Sequence, residues 1–154
     1  VSPPVEVRDA RPEDQAALAV LFDAYRRFYD CPADLPRARA FVADRLRERD
    51  SVILVAERDG ELGGFVQLYP TLCSVEAGPI YVLYDLFVRP DRRGQQVGRT
   101  LMRAAADRAR RDGVLRMDLS TATTNTAAQA LYESEGWRRD DEFHHYSLTI
   151  TPNA

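Results

Sequence analysis

Apolar positions along the chain follow two different periods. Val5 and Val7 alternate with Glu6 and Arg8, which predicts a first short strand. Pro12 stands where a helix can begin, and Ala16, Leu18, Leu21, Phe22, Tyr25, Phe28 and Tyr29 recur at helical spacing. Turn-forming residues 30–36 interrupt that pattern, and Pro36 opens a second helix that carries Phe41, Val42 and Leu46 and has an arginine-rich outer side. The β-branched run SVILVAE at 51–57, the pair Asp59-Gly60 and the returning Leu62, Phe65, Val66 and Leu68 predict a hairpin. A long apolar strand is expected over 80–88, stopped by Arg89-Pro90-Asp91.

A helix follows over 97–112, with Val97, Leu101, Ala104 or Ala105, and Ala109 in one stripe and Gly113 at its end. Leu115, Met117 and Leu119 alternate as the next strand. Thr124-Asn125 caps a short helix over 127–135, closed by Gly136, and residues 143–150 alternate as a last strand. A strand, a helix and a second strand over 80–119 form a right-handed crossover, so those two strands run parallel, while the hairpins make the rest antiparallel. The expected fold is α+β, α/β/α layered, with a mixed, mostly antiparallel sheet and about four helices in one domain over 1–154. Residues 1–4 are expected to be a frayed tail.

Composition narrows the classes. The 154 residues are 45% hydrophobic and 29% charged, as in an ordinary globular domain. Net charge is −3, and all 21 basic side chains are arginine, so bulk charge gives no support for nucleic-acid binding. Cys31 and Cys73 lack disulfide-scaffold or metal-ligand spacing, so no metal is expected. No apolar run reaches the roughly 20 residues of a membrane helix, and the head of the chain does not read as a signal peptide. His144 and His145 are adjacent on a strand and face opposite ways, so they cannot chelate one ion together.

Candidate chemistry concentrates in residues 86–99, LFVRPDRRGQQVGR. A strand ends, an Arg- and Gly-bearing loop turns, and a helix begins, which is an arrangement that binds anions through first-turn N–H groups and the helix dipole. Arg92, Arg93 and Arg99 add charge, Gly94 permits a positive φ, and Gly98 permits close approach of a ligand. The segment is neither a Walker loop nor GxGxxG. A tight turn with solvated arginines is the competing reading of the same residues.

Arg93-Gly94-Gln95-Gln96-Val97-Gly98 resembles the Q/R-x-x-G-x-G/A pattern of the GNAT superfamily of acetyl-CoA-dependent N-acetyltransferases, with Gln96 at the first patterned glycine. Glutamine can occupy a right-handed helical conformation there without strain, so a modest effect on binding rather than its loss is expected. Residues 84–90 (YDLFVRP) are similar to the family's central strand, and residues 121–137 (TATTNTAAQALYESEGW) to its later signature. The element order agrees from about 5 to 150, and the nearest look is to small histone/polyamine-type members.

The resemblance implies a central strand splayed from its parallel neighbour, with the pantetheine arm of acetyl-CoA pairing to the backbone of Leu86, Phe87 and Val88. It implies a pyrophosphate site at Arg93, Gly94, Gln95, Gln96, Val97, Gly98 and Arg99, and a pantetheine contact from Asn125. Tyr132 matches the acid that protonates the leaving thiolate, and Asp85 is the candidate base, acting directly or through water. Asn125 as a helix cap and Asp85 as a strand-end carboxylate paired with an arginine are the structural alternatives. For the acceptor, Tyr29 and Asp30, with Tyr25, Phe28 and Asp34, are expected on one wall and Glu142, with Asp140 and Asp141, on the other, suiting a cationic amine. The implied protein is a cytoplasmic acyltransferase without a metal, and the resemblance also implies a homodimer with the last strand contributing. The alternative from another class is a non-catalytic acyl-CoA-binding or scaffolding module.

Overall fold

The computed structural model describes residues 3–151, so Val1 and Ser2 of the expected tail lie outside the described residues. The chain forms two compact units, Val1–Ser120 and Thr121–Ala154. In the first, β1 (Glu6–Asp9) leads through a short 3-10 turn into α1 (Gln15–Phe28) and α2 (Leu35–Glu48). Then come β2 (Val52–Arg58), β3 (Glu61–Cys73), β4 (Gly78–Val88), a second 3-10 turn, α3 (Val97–Asp112) and β5 (Met117–Asp118). The sheet order is β1-β2-β3-β4-β5; all pairs are antiparallel except the parallel β4–β5. The mixed, mostly antiparallel sheet with one parallel pair is the architecture expected from the hydrophobic pattern.

Local chemistry explains the helix ends. Asp34 caps α2 by accepting from the Arg37 N–H at 3.0 Å, and Pro36 lies in its first turn, where a missing N–H costs no bond. Gly113 ends α3 at φ 71°, in the left-handed region that glycine enters without a Cβ clash. Helices cover both faces of the central sheet, so residues 62–68 of β3 are buried without a break. Leu18, Leu21, Val42, Val55, Phe65 and Phe87 form one core with α1 and α2. Leu101, Met102 and Ala105 of α3 are also buried, and the Leu101 side chain lies against Gly64, where an added Cβ would meet the Phe87 carbonyl oxygen at 2.7 Å.

Two strand expectations are corrected. The strand expected over 115–119 is only Met117–Asp118, registered on Tyr81 and Val82. Its partner turns away beyond that point: the β3–β4 register passes from Leu68↔Leu83 to Gln67↔Asp85, leaving Tyr84 as the extra residue of a β-bulge.

The strand expected over 143–150 does not form. A strand needs a neighbouring backbone to satisfy its N–H and C=O groups, and the second unit supplies no strand among its described residues. Phe143, Tyr146, Leu148 and Ile150 are exposed. The regular element of that unit is α4 (Thr126–Ser134), capped by the Asn125 side chain. Among the described residues no helix is long and apolar enough to cross a membrane.

Candidate active site

The bulge at Tyr84 shapes the centre of the site. Because β5 stops at Asp118, the stretch of β4 from Leu83 to Val88 pairs with β3 on one side and has no β5 partner on the other. The backbone of Leu86, Phe87 and Val88 lies in that stretch. Asp85 directly follows the bulge. Its side chain shares a sheet face with Phe87, under the aromatic side of α1, where the Tyr25 ring packs edge-on to Phe65 and Phe87.

Asp85 is 4% exposed, and no arginine pairs with it among the described residues. Its partner is instead Gln67, directly opposite on β3, whose Nε2 donates to Asp85 Oδ2 at 2.7 Å. The Gln67 Oε1 accepts from the Ser51 hydroxyl at 2.8 Å. Burial pushes the Asp85 carboxyl above the ordinary carboxylate range, while Gln67 and the nearby Tyr25 hydroxyl act in the opposite direction. The carboxylate alternative paired with an arginine is therefore not what the structure contains.

Tyrosines surround this carboxyl. The Tyr25 hydroxyl donates to the Tyr84 carbonyl at 3.3 Å. Burial and then the charge of Asp85 raise the pKa of both Tyr25 and Tyr69, so both are neutral donors at physiological pH. Tyr69 packs edge-on to Tyr84 at 5.8 Å, and Tyr25 edge-on to Tyr29 at 5.2 Å. Phe28, Tyr29 and Tyr84 expose more than half of their surface. Gln67, Ser51, Tyr69 and Tyr84 were not singled out by sequence. In an alternating strand, Gln67 reads as a solvent-facing position, and only the register opposite Asp85 reveals its role.

The loop between β4 and α3 is wound tightly. Gly94 has φ 73° and Gln96 has φ 65°. The left-handed conformation of Gln96 corrects the right-handed expectation: the loop keeps the backbone that a glycine would favour and imposes it on a side chain, at a cost of about 1–2 kcal/mol. The Gln96 side chain is engaged by Arg99 Nε at 3.1 Å, and Gln95 Oε1 by Arg58 at 2.6 Å. The α3 N-terminus begins at Val97, and first-turn N–H groups have no preceding helical carbonyl.

The arginines do not all point to that loop. Arg93 donates from Nε to the Val88 carbonyl at 3.0 Å and lies over the Phe28 and Phe87 rings at 5.8 and 5.7 Å. Arg92 is paired with Glu61 at 3.0 Å. The turn geometry, partly buried Gly98 and an exposed loop together fit a pyrophosphate.

A sequence profile for the Acetyltransferase (GNAT) family matches residues 18–137. The chain belongs to this family. It is 44% identical over 146 residues to an uncharacterized N-acetyltransferase of Bacillus subtilis (strain 168), YhfO, covering 95% of this chain and 98% of the relative. A crystal structure described as a probable acetyltransferase superposes with a TM-score of 0.89 at 38% identity, over 96% of this chain and 99% of that one. An aminoglycoside N-acetyltransferase solved in complex with coenzyme A superposes with a TM-score of 0.79 at 17% identity, over 96% of each chain, and shares the fold. The protein is accordingly an acetyl-CoA-dependent acetyltransferase.

In the second unit, Asn125 accepts from the Ala128 N–H at 3.2 Å, the cap geometry expected of it. Tyr132 lies on α4 with its ring 6.3 Å from Trp137. Glu142 is exposed, and its N–H donates to Asp140 at 2.8 Å. Asp30, exposed at the end of α1, takes φ 61°. No group of three or more His, Cys, Asp or Glu side chains is disposed to hold a metal among the described residues.

Proposed function

We propose that this acetyltransferase moves the acetyl group directly from acetyl-CoA to a primary amine, with cationic amines preferred, and that the whole chain acts as one transferase domain in the cytoplasm. The observation that carries this reading is Asp85, a buried carboxyl flanked by tyrosines and placed beside the unpaired stretch of β4. An amine with a pKa near 10.4 is neutral in only about one molecule in 2,500 at pH 7, a deficit of about 4.6 kcal/mol. A base whose affinity for protons has been raised by burial suits the task.

Bound acetyl-CoA supplies the activated thioester. Gly94, Gln96, Val97 and Gly98 would hold its pyrophosphate with backbone groups, and Leu86, Phe87 and Val88 its pantetheine arm. Arg93 braces the end of β4 through the Val88 carbonyl and Phe28, rather than serving as a free charge. A proton leaves the acceptor ammonium for Asp85, directly or through water. The amine nitrogen then forms its bond to the acetyl carbon as the carbon–sulfur bond breaks, and the second proton that the nitrogen sheds as the amide forms passes to water. Tyr132 holds the proton that the departing thiolate takes, a role resting on its place in the sequence signature.

The exposed rings of Phe28, Tyr29 and Tyr84 together with Asp30 support a polyamine, a basic amino acid or a lysine side chain as acceptor. Negative charge captures such an amine but also raises its pKa, so the base must compensate for the recognition. The proposal includes a homodimer, supported by the alternating, exposed apolar residues of 143–150, which find no strand partner among the described residues of their own unit. Light scattering with and without acetyl-CoA tests it; a monomer in both rejects it.

The chemistry is tested by acetyl-CoA-dependent thiol release over polyamines, basic amino acids, neutral amines and a lysine-bearing peptide. Cationic acceptors should lead, and Tyr132→Phe should reduce turnover about 10²-fold with cofactor binding retained. Faster turnover of neutral or anionic amines would reject the acceptor class.

A further inference from the structure

Gln67 is 2% exposed, yet it sits mid-strand between Val66 and Leu68, both fully buried. A buried amide is costly unless every polar atom is partnered. Its two partners are chemically unequal. Ser51 gives a proton to Oε1 at 2.8 Å, and Nε2 gives one to Asp85 Oδ2 at 2.7 Å. An amide can donate only from nitrogen and accept only at oxygen, so this orientation presents a donor to Asp85. The flipped amide would set its carbonyl oxygen against the carboxylate and disfavour the ionised form. The observed orientation stabilises that form and fixes the carboxylate through Oδ2.

We propose that Gln67, anchored by Ser51, is a positioning residue for the acetyl transfer, holding Asp85 ionised and fixing the orientation of its carboxylate through Oδ2. The inference rests on the reading of Asp85 as the base, and neither Gln67 nor Ser51 touches the reacting atoms. Few charges compete with this arrangement. The groups facing Asp85 are Tyr25 of α1, Tyr69 of β3 and its neighbour Tyr84, with Arg45 of α2 and Asp50 farther out beside Tyr69. Tyr25 and Tyr69 are neutral, so Gln67, ahead of the Tyr25 hydroxyl, is the principal stabiliser of the carboxylate against the desolvation that burial imposes.

The test pairs a carboxyl titration with a pH–rate profile. In the acetyl-CoA-free protein, the Asp85 side-chain carboxyl is followed by 13C NMR against pH in wild type, Gln67→Leu, Ser51→Ala and Ser51→Thr. The titration midpoint should move to higher pH in Gln67→Leu, move less in Ser51→Ala, and return in Ser51→Thr, which keeps the hydroxyl. With an active acceptor, Gln67→Leu should lower kcat/KM about tenfold on the acid limb and leave the high-pH plateau close to wild type, as expected for losing one charge-assisted hydrogen bond.

A merely structural role would lower the whole profile evenly and leave the midpoint in place, which overturns the proposal. Should Gln67→Leu fail to fold, the Ser51 pair decides, since equal midpoints in Ser51→Ala and wild type also overturn it. Absence of turnover on every amine would count against Asp85 as a base in acetyl transfer, while the NMR midpoints still decide whether Gln67 holds the carboxylate ionised.

Discussion

Phe65 in β3 is 1% exposed and Tyr146 near the end of the chain is 87% exposed, although both stand in segments whose sequence predicts a strand. The difference lies in what surrounds each one. Phe65 belongs to a strand with a neighbour on either side and a helix pair over its face, so both its backbone and its ring are satisfied. Tyr146 belongs to a unit whose described residues form one helix and no sheet, and α4 contributes no buried residue. Alternation states that a segment is able to be a strand; a partner decides whether it is one.

The largest effect should come from breaking the well-buried side of that contrast. Phe65→Ala should cost about 3–5 kcal/mol of stability by denaturant unfolding, because the ring packs against Phe22, Tyr25 and Phe87 and leaves a cavity that rigid strands cannot close. Asp85→Asn comes next, with turnover reduced about 10²–10³-fold while acetyl-CoA still binds. Its stability should move the other way. Asp85 has a raised folded-state pKa, so the native state binds more protons than the unfolded chain, and stability falls as pH rises from the unfolded value through the folded one. Removing that ionisation should flatten this part of the stability–pH curve, measured by thermal unfolding from pH 3 to 9.

Gln96→Gly tests the loop. Glycine relieves the left-handed strain but adds freedom to the unfolded chain, so the net gain should be about 1 kcal/mol or less, with acetyl-CoA affinity equal or better. The smallest effect is expected in the second unit. Leu148→Ser, at an exposed position in an unpaired segment, should change monomer stability by no more than about 0.5 kcal/mol. A loss of several kcal/mol there would show that 143–150 gains a packing partner in solution.

The readable parts of the sequence were those governed by local rules. Periodicity located both units' helices, Asn125 was legible as a cap, and the Asp59-Gly60 turn fixed the β2–β3 hairpin. The Arg-Gly loop followed by α3 and the strand bearing Asp85 were also legible, because they form a continuous pattern. What escaped depends on residues far apart in the chain. The Tyr84 bulge is a register shift between two strands, the Gln67–Asp85 pair is a consequence of that register, and the truncation of β5 follows from where β4 bends. The left-handed Gln96 escaped for another reason: the closed path of the loop overrides the preference of the residue that occupies it.

The account stands most directly on Asp85, so the decisive measurement is acetyl-CoA-dependent thiol release with a cationic amine for wild type and Asp85→Asn, each followed from pH 6 to 10. The account predicts that wild type loses activity as the carboxyl protonates at low pH. It also predicts that the variant is at least about 10²-fold slower near neutrality and recovers as rising pH supplies neutral amine from solution. Equal rates and superimposable pH profiles for the two proteins would contradict it.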